Sequence, residues 1–258
     1  MSTSAKKWAQ DLIAWGIPQE ILDQAPESPW IHPPAVFTLP EEIADSPSHQ
    51  RAREVLPEDG SVLDVGCGGG IATYAIAPPA GTVIGVDHQR EMLDMFAASA
   101  IERGLQHQEI FGDWPAVADQ APMADVVTCH HVVYNVSDIE PFLRTLDAHA
   151  GKRVVIEMPQ NHPLASRRGA WQHFWQIERP VNPTPHDLMN VLAELGISAH
   201  LELWDGPNVK ALTLDDEVRF LRIRLCLDGS RDQEIREFIA GESAPTQRSL
   251  ATIWWDKH

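Results

Sequence analysis

Residues Val62 to Gly70 read VLDVGCGGG: a strand-length apolar run, interrupted only by Asp64, that ends in Gly66-x-Gly68-x-Gly70. The residues that follow, IATYAIA from Ile71, have the composition of a helix. Strand, glycine loop and helix in that order make a ligand cradle. The glycines let the backbone pass close to a bound molecule, and a helix start offers free N–H groups. The details narrow the ligand. A dinucleotide fingerprint places a third glycine where this chain has Ile71, and a phosphate-cradling loop needs a Lys-Ser/Thr pair that is absent. Asp64, inside the strand and two residues before the first glycine, is awkward beside a pyrophosphate but suits a cationic ligand.

Working outward, the same rhythm continues. TVIGVD (82–87), QEIFGDW (108–114), ADVVTCHH (124–131) and RVVIEM (153–158) are further runs of strand length, mostly rich in β-branched residues. REMLDMFAASAIERG and DIEPFLRTLDAHAG lie between them with helical periodicity and end at Gly104 and Gly151. Near-continuous apolar strands alternating with helices predict a doubly wound, mostly parallel sheet, an α/β fold. The second strand ends in Asp87, about 20 residues beyond the first glycine, where a carboxylate can accept both hydroxyls of a ribose. The third ends in Asp113, a candidate partner for an exocyclic amine.

The flanks differ. Residues 1–50 read as two short helices and a proline-broken strap. AKKWAQDLIAW puts Trp8, Leu12, Ile13 and Trp15 on one apolar side, and ESPWIHPPAVFTLP carries too many prolines for a helix or a central strand. This segment is expected to lie across the domain. In the last third, Thr184 with Pro185 opens a helix, SAHLELWD and LATIWW read as strands, and Ser230/Gln233 reads as the capping box of a final helix.

The chain has 258 residues, with 20 basic against 37 acidic, a formal charge of −17. Such a surface repels phosphate backbones and anionic membranes, so neither nucleic acid nor membrane is an expected partner. Cys67, Cys129 and Cys226 are too widely spaced for a disulfide framework or a zinc pattern. With no signal segment and no long apolar run, a cytoplasmic protein is expected.

VLDVGCGGG, VIGVD, GDW and ADVVTCHHVVYNV together resemble the class I S-adenosylmethionine-dependent methyltransferases over roughly residues 55–160, and the longer pattern is similar to an actinobacterial group acting on small molecules. The resemblance implies a seven-stranded sheet with its final strand antiparallel, and S-adenosyl-L-methionine as cofactor. It implies that Asp64, Gly66 and Gly68 surround the methionine moiety, Asp87 the ribose, and Asp113 with Trp114 the adenine. Cys67, His88, Met92, Gly112 and His130 join them on the cofactor side. On this reading residues 1–50 are a strap or lid and 51–258 the catalytic domain, with substrate-side insertions at about 160–185 and 207–245.

The methyl acceptor is then expected to be a small organic molecule with an O, N or C nucleophile. His130 and His131 close the fourth strand, whose carboxyl end faces the cofactor. Strand alternation sends them to opposite faces, one lining the crevice and one beneath a helix. Adjacent strand histidines do not share a metal easily, so no metal is expected. They serve as pocket wall first and as proton acceptor second, and Glu157, ending the fifth strand, is the other catalytic candidate. Tyr134, His162, Trp171, Trp175 and Trp30 are substrate-side candidates, Trp171 and Trp175 belonging to an aromatic ridge that reads first as a core-facing helix and second as a lid wall for an apolar substrate. A dinucleotide-dependent oxidoreductase and a non-catalytic S-adenosylmethionine-binding module are the competing functions.

Overall fold

The computed structural model describes residues 1–29, 43–207, 213–242 and 247–257. The elements run α1 (Thr3–Ile13), α2 (Gln19–Leu22), α3 (Pro47–Arg53), β1 (Gly60–Val65), α4 (Ile71–Ala75), β2 (Ala80–Asp87), α5 (Arg90–Glu102), β3 (Gln106–Phe111), β4 (Ala124–His130), α6 (Ile139–His149) and β5 (Ala150–Pro159). They continue with α7 (Arg168–Trp175), α8 (Pro185–Glu194), β6 (His200–Pro207), α9 (Leu214–Arg224), α10 (Asp232–Gly241) and β7 (Gln247–Asp256). The seven strands form one sheet in the order β3-β2-β1-β4-β5-β7-β6. β1 to β5 pair in parallel, and β7 runs antiparallel to both β5 and β6. The doubly wound sheet and its antiparallel final strand are those expected above. The order reverses between β1 and β4, and the crevice at that switch point opens at the carboxyl ends of the strands.

Alternation along the central strands divides two cores. Leu63, Val65, Val127, Cys129, Val154 and Ile156 face one side and are covered by Phe142, Leu143 and Leu146 of α6, Leu188 and Val191 of α8, and Trp8 of α1. Val62, Val126 and Val155 face the other, against Leu93 and Phe96 of α5 and Ala52 of α3. Each aliphatic side chain taken fully out of water contributes about 1.5–3 kcal/mol, so this two-sided burial is the main source of stability. Among the described residues no helix is long and apolar enough to cross a membrane.

A third cluster joins the flanks. Ile17 and Ile21 from the N-terminal segment pack with Trp171, Val218, Leu221, Leu225 and Ile235. Trp171 is buried there, and Trp175 donates its indole N–H to the Leu225 carbonyl at 2.7 Å. Both tryptophans therefore build the core of a helical cap, correcting their assignment to the substrate. Trp30 lies outside the described residues. Arg179 ties the cap to the strap: its guanidinium lies over the rings of Trp15 (5.3 Å) and Trp171 (4.9 Å) and donates to the carbonyls of Trp15 and Gly16.

Two local expectations change. α1 ends at Ile13, and that side chain is 74% exposed, while Trp8 and Trp15 are buried. Ser230 caps nothing. It sits in a 3-10 turn closed by the Asp228 side chain, which accepts from the Ser230 N–H, and α10 starts only at Asp232. Thr184 does form a reciprocal cap, with Asp187.

Trp15→Ala removes a buried ring and both of its stacking partners, and should cost about 3–5 kcal/mol in urea unfolding. Ile13→Ala should change stability by no more than about 0.5 kcal/mol, because its side chain is already in water. Equal effects would show that the N-terminal segment is not docked as described.

Candidate functional site

The glycine loop is fixed from behind and open in front. Gly66 and Cys67 both donate their N–H to the Val86 carbonyl, which folds the loop back onto β2. Gly66, Gly68 and Gly70 have φ of 74°, 52° and 93°, in the left-handed region that other residues resist. A Cβ on Gly66 would lie 2.3 Å from the Val132 side chain, so the loop touches the segment just after β4. A Cβ on Gly68 would meet nothing within 4 Å. That open point is where a ligand can approach the backbone. The following helix, α4, lasts only five residues before Pro78 and Pro79, so the loop and not a helix end makes the cradle. Cys67 turns its sulfur inward, where a Cβ on Gly85 would stand 2.8 Å from it, and burial pushes the thiol well above its ordinary range.

Three acids stand around this loop in different states. Asp64 is buried, and its Oδ2 accepts from the Thr73 hydroxyl at 2.7 Å. Its Oδ1 lacks a well-formed hydrogen bond, and the nearby hydroxyl of Thr128, its register neighbour on β4, helps to hold the carboxyl ionised. Burial pushes the Asp64 carboxyl up to about 6, against the pull of the Thr73 hydroxyl. Asp87 accepts from the Gly68 N–H at 3.0 Å and from the Gln89 N–H at 2.9 Å, one bond to each oxygen, which leaves each a lone pair. Asp113 is exposed, with His88 Nδ1 at 3.8 Å from its Oδ1. Gly112, at φ 147°, makes the turn into Asp113, and Met92 is buried at the first turn of α5. Trp114 follows Asp113 and is buried. Its ring is drawn into the core edge-on to His149, with centroids 4.9 Å apart.

The two histidines do not diverge. β4 ends at His130, and His131 has φ 62°, which breaks the alternation. The His131 N–H donates to the Glu157 carbonyl at 2.8 Å, and its Nε2 stands 3.1 Å from Glu157 Oε1. Its side chain is 38% exposed, whereas Glu157 is buried. His130, the register partner of Glu157, stacks on His49 of α3 at 5.7 Å, and its Nε2 is buried without a partner. His131 is thus the crevice residue, and His130 belongs beneath a helix. Burial pushes both His49 and His130 down to about 4. Burial alone would raise the Glu157 carboxyl, but the hydrogen bond from His131 and the neighbouring imidazoles hold it well below the usual carboxylate range.

Tyr134 and His162 are engaged elsewhere. The Tyr134 hydroxyl donates to the Pro159 carbonyl at 2.8 Å and its ring stacks on Trp8, while His162 stacks on Trp15 at 4.1 Å and accepts from the Leu164 N–H. Both fasten the strap and the segment after β5. Sequence reasoning missed Ser46, His49 and Thr128. The pair Ser46-Pro47 did carry a helix-start signature, but nothing local shows that its hydroxyl reaches Glu157.

A family model described as a methyltransferase domain matches residues 38–199. The chain belongs to the class I S-adenosylmethionine-dependent methyltransferases. This methyltransferase is 29% identical over 209 residues to an uncharacterized protein of Haemophilus influenzae, covering 77% of this chain and 76% of that one. It is 35% identical over 109 residues to a ubiquinone biosynthesis O-methyltransferase of Aeromonas salmonicida, but that match spans only 40% of this chain and 45% of the relative. Its fold is similar to the YcgJ protein of Bacillus subtilis (TM-score 0.54, 16% identity, 82% of this chain and 98% of that one). A putative methyltransferase of Bacillus halodurans is comparable (TM-score 0.54, 17% identity, 81% and 96%). The cofactor of this methyltransferase is S-adenosylmethionine, and the crevice fits it. A buried carboxylate oxygen that lacks a well-formed hydrogen bond suits an ammonium, and the open face of Gly68 leaves room for a ligand against the backbone.

The buried imidazoles set a pH dependence. His49 titrates near 4 in the fold against about 6.5 in an unfolded chain, so the unfolded state binds the extra proton first. Stability should fall as pH drops from about 6.5 to about 4, on the order of 3 kcal/mol for this residue, and level off below. Asp64, raised to about 6, works in the opposite direction over part of that window. His49→Gln should flatten the dependence seen in denaturant titrations. An unchanged slope would mean that His49 is not buried neutral.

Proposed function

We propose that this methyltransferase methylates a hydroxyl group on a small organic acceptor, with His131 as the proton acceptor and Glu157 as its holder. The observation that carries the reading is the His131 Nε2–Glu157 Oε1 contact of 3.1 Å, one residue before Val132, which abuts the glycine loop. Displacement at a sulfonium methyl needs an aligned nucleophile and a dry site, and the leaving thioether needs no proton. A base is needed only where the nucleophile must shed a proton to react. A carboxylate or acidic thiol arrives ionised and gains nothing from one. A weakly acidic hydroxyl gains most.

The proton positions follow from chemistry. Glu157 is held ionised and only accepts, so the proton between it and His131 sits on Nε2. Nδ1 is then the lone pair left to take the acceptor's proton, and Glu157 stabilises the imidazolium that forms. On the cofactor side, we assign Asp64 to the methionine ammonium and Asp87 to the ribose hydroxyls. Gly66 and Gly68 give the backbone approach, and Asp113 the adenine amine. The acidic surface, −17 overall, supports a small acceptor over a nucleic acid. The ubiquinone O-methyltransferase relatives act on oxygen by name, which favours the same class of nucleophile.

Asp87→Ala should weaken S-adenosylhomocysteine by roughly 2–4 kcal/mol in calorimetric titration, the loss of charge-assisted hydrogen bonds. A folded variant with parental affinity would remove Asp87 from the ribose. His131→Gln should bind S-adenosylhomocysteine as the parent does, yet lose about 10²–10⁴-fold in turnover on an acceptor drawn from a panel of phenols and alcohols. The loss should shrink on acceptors that are already ionised. Parental turnover of a phenol by the Gln variant would refute His131 as base.

A further inference from the structure

Glu157 is surrounded by donors that all point one way. Ser46 Oγ accepts from the His49 N–H at 3.2 Å as the cap of α3, and donates its own proton to Glu157 Oε2 at 3.1 Å. On the neighbouring strand, Trp204 Nε1 donates to Thr252 Oγ1 at 3.0 Å, and an indole N–H can only donate. The Thr252 hydroxyl is 2.6 Å from Ser48 Oγ. With Trp204 as donor to its oxygen, Thr252 can pass its own proton to Ser48, which frees the Ser48 proton for Glu157. The Ser48 hydroxyl indeed contributes to keeping that carboxyl ionised. Thr252 is also the register partner of Glu157 across β5 and β7, so the chain is short and direct. α3 is held over this point from its other end, because Arg153 of β5 donates to the Arg51 carbonyl at 2.7 Å and to Glu54 at 2.8 Å.

We infer that Ser46 is a positioning residue of the active site: its hydroxyl on Glu157 Oε2 turns Oε1 toward His131, so that α3 is part of the catalytic apparatus and not only a cover on the sheet. The inference rests on the proposed His131–Glu157 pair. A carboxylate free to rotate about its last torsion would offer His131 two oxygens in shifting directions. Ser46, backed by the Ser48–Thr252–Trp204 chain, holds it in one. The imidazole then keeps a single tautomer, with its proton on Nε2 and Nδ1 bare.

The test needs no acceptor. Long-range ¹H–¹⁵N spectra of the full-length protein with S-adenosylhomocysteine bound report which ring nitrogen of His131 carries the proton. His131→Gln assigns the signals, and Glu157→Gln supplies the reference for a lost carboxylate. The parent should show the Nε2–H form alone. Ser46→Ala and Ser46→Gly, the latter retaining a residue that helix starts tolerate, should show mixed tautomers approaching the Glu157→Gln spectrum. Both should bind S-adenosylhomocysteine as tightly as the parent. Ser46→Thr should restore the parental spectrum, since it keeps both the cap and the donor. If the parent shows only Nε2–H and the Ala and Gly variants do too, Ser46 positions nothing, while the His131 base still stands. If the parent itself carries the proton on Nδ1, the base reading falls and this inference falls with it.

Discussion

The structure depends on the parallel pairing of β1 with β4. Their crossovers leave in opposite directions, so no connection closes over the carboxyl ends of these two strands. Both strands are apolar through their middle and polar where they emerge. Asp64 and Thr128 are register partners in that pair, and two rows further along His130 pairs with Glu157, which pairs in turn with Thr252. Polar side chains that would be ruinous in the sheet's centre are tolerated here because the gap leaves them a ligand or a neighbouring hydroxyl as partner. The buried oxygen of Asp64 that lacks a well-formed hydrogen bond is a place where a ligand can complete the count.

What could be read before the structure follows from range of interaction. Periodicity, glycine placement and acids at strand ends act within a few residues, and they yielded the sheet, the glycine loop and the three acids that stand around it. Asp113 kept its place at the turn because Gly112 makes that turn locally. Trp114, one residue on, packs its ring into the core beside His149, a contact that no local signal shows. Trp171 and Trp175 failed as pocket residues for the same reason. A tryptophan ridge is settled by whatever apolar surface meets it, and that surface comes from α2, α9 and α10, far away in sequence.

The histidine pair departs from simple strand alternation. Alternation holds only while the backbone stays extended, and a left-handed φ at His131 ends it. A bulky residue in that region signals an imposed constraint. Here the constraint is visible: the His131 N–H completes the β5 ladder at Glu157 O, while its ring returns to the same residue's carboxylate. One glutamate thereby engages both the main chain and the side chain of the histidine. The sequence HH carries no trace of this, because the partner lies on another strand.

Charge explains why the arrangement suits proton removal. The chain carries a strong negative excess, yet the groups packed around Glu157 on the α3 side are two imidazoles held neutral by burial and two hydroxyls; the carboxylate of Asp45, 3.8 Å from His49 Nδ1, is half exposed. A second buried acid would raise Glu157 toward protonation by like-charge repulsion and abolish its value to His131. Neutral donors instead stabilise the carboxylate without adding a competing cation that would discharge it. A lysine or arginine in place of Ser46 would also hold Glu157 ionised, but it would oppose the positive charge that His131 gains when it takes a proton. Serine stabilises one partner without penalising the other. That asymmetry gives a physical reason for hydroxyls, and not a salt bridge, behind the dyad.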